Sequence, residues 1–218
     1  MIERFIHHLS IELPAASETA VEARPRLAEK FPRTALRRMT HLGLLLGSTL
    51  DGVSFGPEDA IVYASTFAET RALEDFLASF PGASPLLFQT SIHPGGVQQV
   101  LIGRQQPIAR LWPLAGRTRL VEQALLTALL EPAPRVALVG GEERGTWMLE
   151  RQMASATAFA FAAILSRDPA GAAARVAFTP GGDPAAACPT LEDFTHALAE
   201  RRELHWHGGG GAWTLAWP

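Results

Sequence analysis

Apolar residues along this chain recur first at the strand period and then at the helix period. Phe5, Ile11 and Leu13 are the apolar positions of a predicted strand over residues 1–13. Pro14, Pro25 and Pro32 punctuate an irregular segment after it. Leu36, Met39, Leu42, Leu46 and Leu50 then follow helical spacing, and Pro32 suits the start of one helix running to residue 50. Residues 60–65, AIVYAS, read as a short buried strand. Leu73, Phe76, Leu77 and Phe80 form the apolar face of an amphipathic helix that Pro81-Gly82 stops.

Further along, residues 94–102 predict a short helix after a loop, and residues 107–112 a strand. Residues 117–130 predict a helix with Leu120, Ala124, Ala128 and Leu129 facing inward. RVALV, residues 135–139, is a buried strand ended by Gly140-Gly141. In ATAFAFAAILSR the alanines permit a helix, but the Ala/Phe alternation argues for a strand. LEDFTHALAERR is a late helix capped by Thr190. ELHWH and AWTLAW flank four glycines and predict a terminal hairpin. Strands and helices alternate through the middle, which predicts an α/β fold with a largely parallel central sheet. No internal repeat or long linker divides the chain, so residues 1–218 read as one domain.

Composition narrows the class. The 218 residues are 47% hydrophobic and 19% charged, with a formal net charge of −3. That balance gives no global nucleic-acid footprint. A single cysteine excludes an internal disulfide framework and fits a reducing compartment. The N-terminus, MIERFIHHLSIELP, does not read as a signal peptide, and the low-charge run from Met153 to Leu165 is too short to span a bilayer. A soluble cytoplasmic protein with no membrane or nucleic-acid partner is expected.

Candidate chemistry is sparse. HGGGGAW and LVGGEE are glycine-rich but lack the Lys-Ser/Thr or G-x-G-x-x-G context of a phosphate-binding loop. His205 and His207 flank Trp206 and share one face of a strand, half of a metal site with no acidic or cysteine cluster to complete it. Cys188 precedes the Thr190 cap, where a helix N-terminus lowers a thiol pKa, yet no histidine lies near it in sequence. Ser91 and His93 lie two apart with no acid assignable as orienter. No metal or cofactor is called for. Arg24, Arg26, Lys30, Arg33, Arg37 and Arg38 form a local basic cluster suited to an acidic partner.

QTSIHPGGVQQVLIGRQQPIARLWPLAGRTRLVEQALLTALLEPAPRVALVGGEE, residues 89–143, resembles the N-terminal half of β-ketoacyl synthases of the thiolase fold. Ser91-Ile92-His93 resembles the segment before the family's central strand. Leu114-Ala115-Gly116 resembles the small-residue turn after its active cysteine, and the run ending Gly140-Gly141-Glu142-Glu143 its Gly-Gly-x-Glu strand. The likeness covers about residues 33–166. It implies a thiolase-like half, a βαβαβαββ layer around a central mixed sheet, with a C-terminal hairpin extension. Pro113 stands where the cysteine would be, and the two histidines of the family's second half have no counterpart. The chain resembles the non-catalytic chain length factor subunits of aryl polyene systems. Resemblance implies a β-ketoacyl synthase partner and a possible acyl carrier protein partner, met by the arginine cluster. It implies an interface strand at Pro107, Ile108, Ala109, Arg110, Leu111 and Trp112, and a tunnel wall of Trp112, Pro113 and Leu114. Two other readings stay open: an acyl-thioester enzyme using Ser91, His93 or Cys188, and a self-associating acyl or carrier-protein binding module.

Overall fold

The computed structural model describes residues 1–181 and 187–218. In chain order the elements are β1 (Ile2–Glu12), α1 (Ala20–Arg26), α2 (Arg33–Leu36), α3 (His41–Thr49), β2 (Ala60–Ser65), α4 (Thr70–Ala78), α5 (Pro85–Thr90), α6 (Gly95–Arg104), β3 (Arg110–Ala115), α7 (Leu120–Leu130), β4 (Arg135–Glu142), β5 (Phe159–Ser166), β6 (Ala174–Pro180), α8 (Leu191–Ala199), β7 (Leu204–Gly208) and β8 (Gly211–Ala216). The strands form one sheet in the order β3-β2-β4-β5-β1-β6-β8-β7. The sheet is mixed: β2 runs parallel to β3 and β4, and every other pairing is antiparallel. The expectation of a largely parallel sheet holds only for that corner, where helical crossovers join the strands.

Helices cover both faces. One core layer packs α7 and α8 against the sheet, with Leu125, Phe161, Phe194 and Trp213 buried. The other packs α1, α3 and α6 against the opposite face, with Leu44, Leu45, Tyr63 and Val97 buried. The alternation in β5 serves both layers. Phe159 and Phe161 face α8, where Phe161 meets Phe194 at 5.7 Å, and Ala160 and Ala162 face the α3 side. Small residues there let α3 lie close to the sheet. A Cβ on Gly141 would stand 2.7 Å from the Phe159 carbonyl oxygen and 3.1 Å from Leu42, which explains the glycine at this point of close approach.

Several boundaries differ from the periodicity. The helix expected over residues 33–50 is two: α2 ends at Leu36 and α3 begins at His41, where the Thr40 side chain accepts from the Gly43 amide at 3.0 Å. Every residue of α3 is buried, so its sequence shows no polar stripe. In α4 the buried positions are Thr70, Ala72 and Glu74, whereas Leu77 and Phe80 are exposed. The rotation follows from Glu74, which accepts from the Thr146 amide and hydroxyl and the Met148 amide. The predicted loop between α4 and α6 contains α5, capped by Ser84 and started by Pro85. β6, which no pattern marked, joins the terminal hairpin to β1, so the hairpin extends the sheet. Among the described residues no helix is long and apolar enough to cross a membrane.

Candidate functional site

The strand-to-helix turn between β3 and α7 is the natural starting point. β3 is offset from the expected residues 107–112 because its register follows β2 in parallel, Ala60 opposite Arg110 through Ser65 opposite Ala115. Pro113 and Leu114 therefore lie within the strand. Pro113 is tolerated because β3 is the sheet edge, where a missing N–H costs least. The turn itself is Gly116, Arg117, Thr118 and Arg119. Its apex is Arg119, the N-cap of α7, held in the left-handed region at φ 57°. Thr118 is exposed. The histidines with hydrogen bonds, His7, His41 and His93, bond Ser166 and Asp168, Glu18, and Glu69 respectively, so none of them serves the turn.

The terminal hairpin packs against the end of this turn, at Arg119 and Glu122. Arg119 Nε donates to Glu122 Oε2 at 2.6 Å, and Glu122 is buried. A Cβ on Gly208 would stand 1.9 Å from Glu122 Oε1, so any larger residue there must displace the carboxylate that Arg119 holds. Gly209 and Gly210, at φ 64° and 83°, make the reversal. Trp213 then donates its indole N–H to the Gly208 carbonyl at 3.0 Å and stacks on Trp206. Gly208→Ala should lower stability by about 1–3 kcal/mol through overpacking, read as a lower urea midpoint. An unchanged midpoint would show that the hairpin does not bear on Glu122.

Cys188 sits beside the same turn, half-buried, and its thiol donates to the Pro189 carbonyl at 3.4 Å. Burial pushes its pKa up to about 11, and the Glu122 carboxylate adds to the rise. The expected helix-terminus activation is absent because α8 begins after it and a carboxylate faces it. At mildly alkaline pH, alkylation by iodoacetamide should run roughly two orders of magnitude slower than for a free thiol. Labelling at the free-thiol rate would contradict the burial.

Ser91 and His93 do not form a dyad. The Ser91 hydroxyl donates to the Phe88 carbonyl at 2.8 Å. His93 Nδ1 lies 3.1 Å from Glu69 Oε2, and its ring stacks on Tyr63 at 4.7 Å. Glu69 is the orienting acid the sequence could not assign, twenty-four residues upstream. His93 Nε2 is buried without a hydrogen-bond partner among the described residues.

Glu69 belongs to a set of buried glutamates that organise the loops at the C-terminal ends of β2 and β4. Glu69 accepts from the Gly96 amide, Glu142 from the Thr66 and Phe67 amides, and Glu143 from the Leu42 and Ala72 amides. Burial pushes Glu142 and Glu143 up to about 7, against the hydrogen bonds that favour their charged forms. A pair of acids directly after an apolar strand is the sequence signal for them.

At the sheet edge, Trp112 is 43% exposed. Its indole N–H donates to Glu131 Oε2 at 2.7 Å, and Arg110 Nε pairs with Glu131 Oε1 at 2.9 Å. Leu111 and Leu114 point to opposite core layers. Pro107, Ile108 and Ala109 precede the strand, with Ile108 packed on the α3 layer. Two clefts, of about 820 and 620 Å³, lie beside α3, α5 and α6 and take no wall from Trp112, Pro113 or Leu114.

The basic cluster divides. Arg26 pairs with Glu12 and Glu18, and Lys30 with Glu12. Arg24 donates to the Met39 carbonyl at 3.3 Å. Arg33, Arg37 and Arg38 are exposed without an ion pair among the described residues. His205 and His207 are exposed on one face of β7, as their spacing predicts. Among the described residues no group of three or more His, Cys, Asp or Glu side chains is placed to hold a metal.

No protein-family model and no curated protein matches the sequence. Solved structures do match the fold. A chain of the Xenorhabdus doucetiae complex of the ketosynthase ApeO with its chain length factor ApeC superposes with a TM-score of 0.69, covering 99% of this chain and 100% of its own at 18% identity. A chain of the ishigamide ketosynthase/chain length factor gives 0.58, covering 81% of this chain and 67% of its own at 13% identity. The chain thus has the thiolase-like α/β fold of ketosynthase–chain length factor structures.

Proposed function

We propose that the chain is a non-catalytic ketosynthase-like subunit of the chain length factor type. It pairs in the cytoplasm with an active β-ketoacyl synthase and shapes that enzyme's acyl tunnel in aryl polyene biosynthesis. One observation carries the reading: the position where the family's cysteine would stand is Pro113, on an exposed β3 edge, and the turn after it offers Arg119 tied to Glu122 under the hairpin. An uncovered edge strand bearing a half-exposed tryptophan is a liability that a second chain removes. The solved complexes with this fold, by their titles, join a ketosynthase to a chain length factor. Ser91, His93 and Cys188 give no support to an enzyme with displaced catalytic residues.

Co-expression with a β-ketoacyl synthase, followed by mass measurement of the purified species, tests the pairing. A stable one-to-one complex is expected. Incubated alone with acyl and malonyl thioesters, the chain should show no adduct by intact mass. A stable acyl adduct lost on a single substitution, or a chain that stays monomeric beside every synthase tried, overturns the proposal.

A further inference from the structure

β7 alternates histidine and tryptophan, and the terminal hairpin sends the two kinds of side chain to opposite faces of the sheet. Trp206 is buried and stacks on Trp213 of β8, ring centroids 5.8 Å apart. Trp213 is pinned in turn by its hydrogen bond to the Gly208 carbonyl. Successive side chains of a strand alternate in direction, so the buried tryptophan commits His205 and His207 together to the other face. Both are exposed there. Their Cβ atoms lie roughly 7 Å apart, the two-residue rise of a strand.

That face is bare. The core layer on the α3 side contains no residue of β6, β7 or β8. The β8 residues opposite the histidines are small, Thr214 facing His205 and Ala212 facing His207. β7 is also the last strand of the sheet, open along its outer side. The two rings thus have room to converge. The remaining five histidines are placed differently. His7, His41 and His93 are held by hydrogen bonds. His8 adjoins His7 on β1, and His196 is alone on α8. His205 has only an ion-pair neighbour among the described residues, Glu203 at 3.6 Å from Nε2.

Two imidazoles at this spacing make a two-point chelate. Neutral imidazole suits copper, nickel and zinc, whereas magnesium and calcium take oxygen ligands. A closed zinc site needs four ligands, and among the described residues no group of three or more His, Cys, Asp or Glu is placed to supply them. An ion that takes two nitrogens at neighbouring corners of a square plane, with water at the others, fits better. We infer that His205 and His207 bind one divalent transition-metal ion at the β7 edge, copper(II) ahead of nickel(II) and zinc. The Glu203 carboxylate adds negative charge beside the ion. The site lies at the opposite edge of the sheet from β3, and its test needs this chain alone, so its failure leaves the pairing proposal untouched.

The test titrates the full chain with copper(II) chloride, then separately with nickel(II) chloride, and follows tryptophan fluorescence. Trp206 lies between the two ligands with Trp213 stacked on it, and both ions quench nearby indoles. Quenching should saturate at one ion per chain, counted by native mass spectrometry. Excess zinc, which does not quench, should reverse the nickel signal, and magnesium should not. His205→Asn or His207→Asn should weaken binding by at least roughly tenfold, the loss seen even when a group that merely orients a ligand is removed. His8→Asn should leave it unchanged. Both ligands are exposed, so the variants should fold, and circular dichroism checks that they do. No saturable quenching of the native chain, native affinity in the double variant His205→Asn/His207→Asn, or an equal loss in His8→Asn overturns the inference.

Discussion

Exchange of Trp112 for glutamate should abolish co-purification with a β-ketoacyl synthase while leaving the chain folded. The side chain is 43% exposed and ordered, because its indole N–H is held by Glu131. Interface tryptophans commonly contribute 2 kcal/mol or more, a loss of roughly thirtyfold or greater in affinity. A carboxylate here also meets Glu131 as a like charge. The side chains must carry this contact, since Pro113 lacks the N–H that an unbroken strand ladder across the edge requires. Leu111 makes a poorer probe. It packs on the α3 layer, so a charge there strikes the core as well as the edge. Trp112→Ala separates a second role. With so much of the residue already in water, it should cost the isolated chain only about 1 kcal/mol, far less than a core tryptophan. A complex that survives this change and makes longer products assigns Trp112 to the tunnel wall. A surviving complex with unchanged products removes that role. Retention of the complex by Trp112→Glu would place the contact elsewhere.

Stability should be highest near mildly acidic pH and decline toward neutrality. Burial raises Glu142 and Glu143 from the ordinary value of 4.5 to about 7 in the folded chain. Between those values the folded state binds more protons than the unfolded state, so stability falls as pH rises. The contribution is fully present below about 4.5 and gone above about 7. Each group accounts for a few kcal/mol at most. His41 works against the decline: burial lowers its pKa, so its contribution grows as pH rises through about 6.5. Glu18 and Glu74, both held low in the folded chain, withdraw stability only below the ordinary carboxylate range. Two buried carboxylates outweigh one histidine, so the urea midpoint should drop from pH 5 to pH 7.5, by roughly 1 kcal/mol or more in stability. Glu143→Gln should flatten the profile. A midpoint that climbs steadily across this range would mean that the amide bonds keep both glutamates ionised.

Much of the architecture was legible because local and tertiary demands agreed. β2, β5, α7, α8 and the terminal hairpin fall where the apolar pattern and turn residues put them, since β2 and β5 are short apolar runs buried on both faces and the others alternate buried and outward positions at their own period. The pattern misled where a polar side chain overrode it. α4 leaves Leu77 exposed and Phe76 half-buried against α5 because Glu74 is anchored in the loop after β4. The continuous helix over residues 33–50 breaks because Thr40 caps a new start. β3 extends through Pro113 because an edge strand tolerates the missing donor.

The candidate site shows the same division more sharply. By itself the sequence determined the α/β class, the resemblance of its middle to β-ketoacyl synthases, the basic cluster and the lack of a cysteine before the α7 helix. These are properties of residue type and short spacing, which survive without knowledge of contacts. Only the tertiary structure decided which groups meet. It joined Glu69 to His93 and buried the carboxylate and the ring's Nε2. It laid Gly208 on Glu122 at the start of α7. It paired Arg26 and Lys30 with Glu12 and left Arg37 and Arg38 facing the clefts. Each of these depends on elements distant in sequence being brought within a hydrogen bond's length, and periodicity carries no information about such distances.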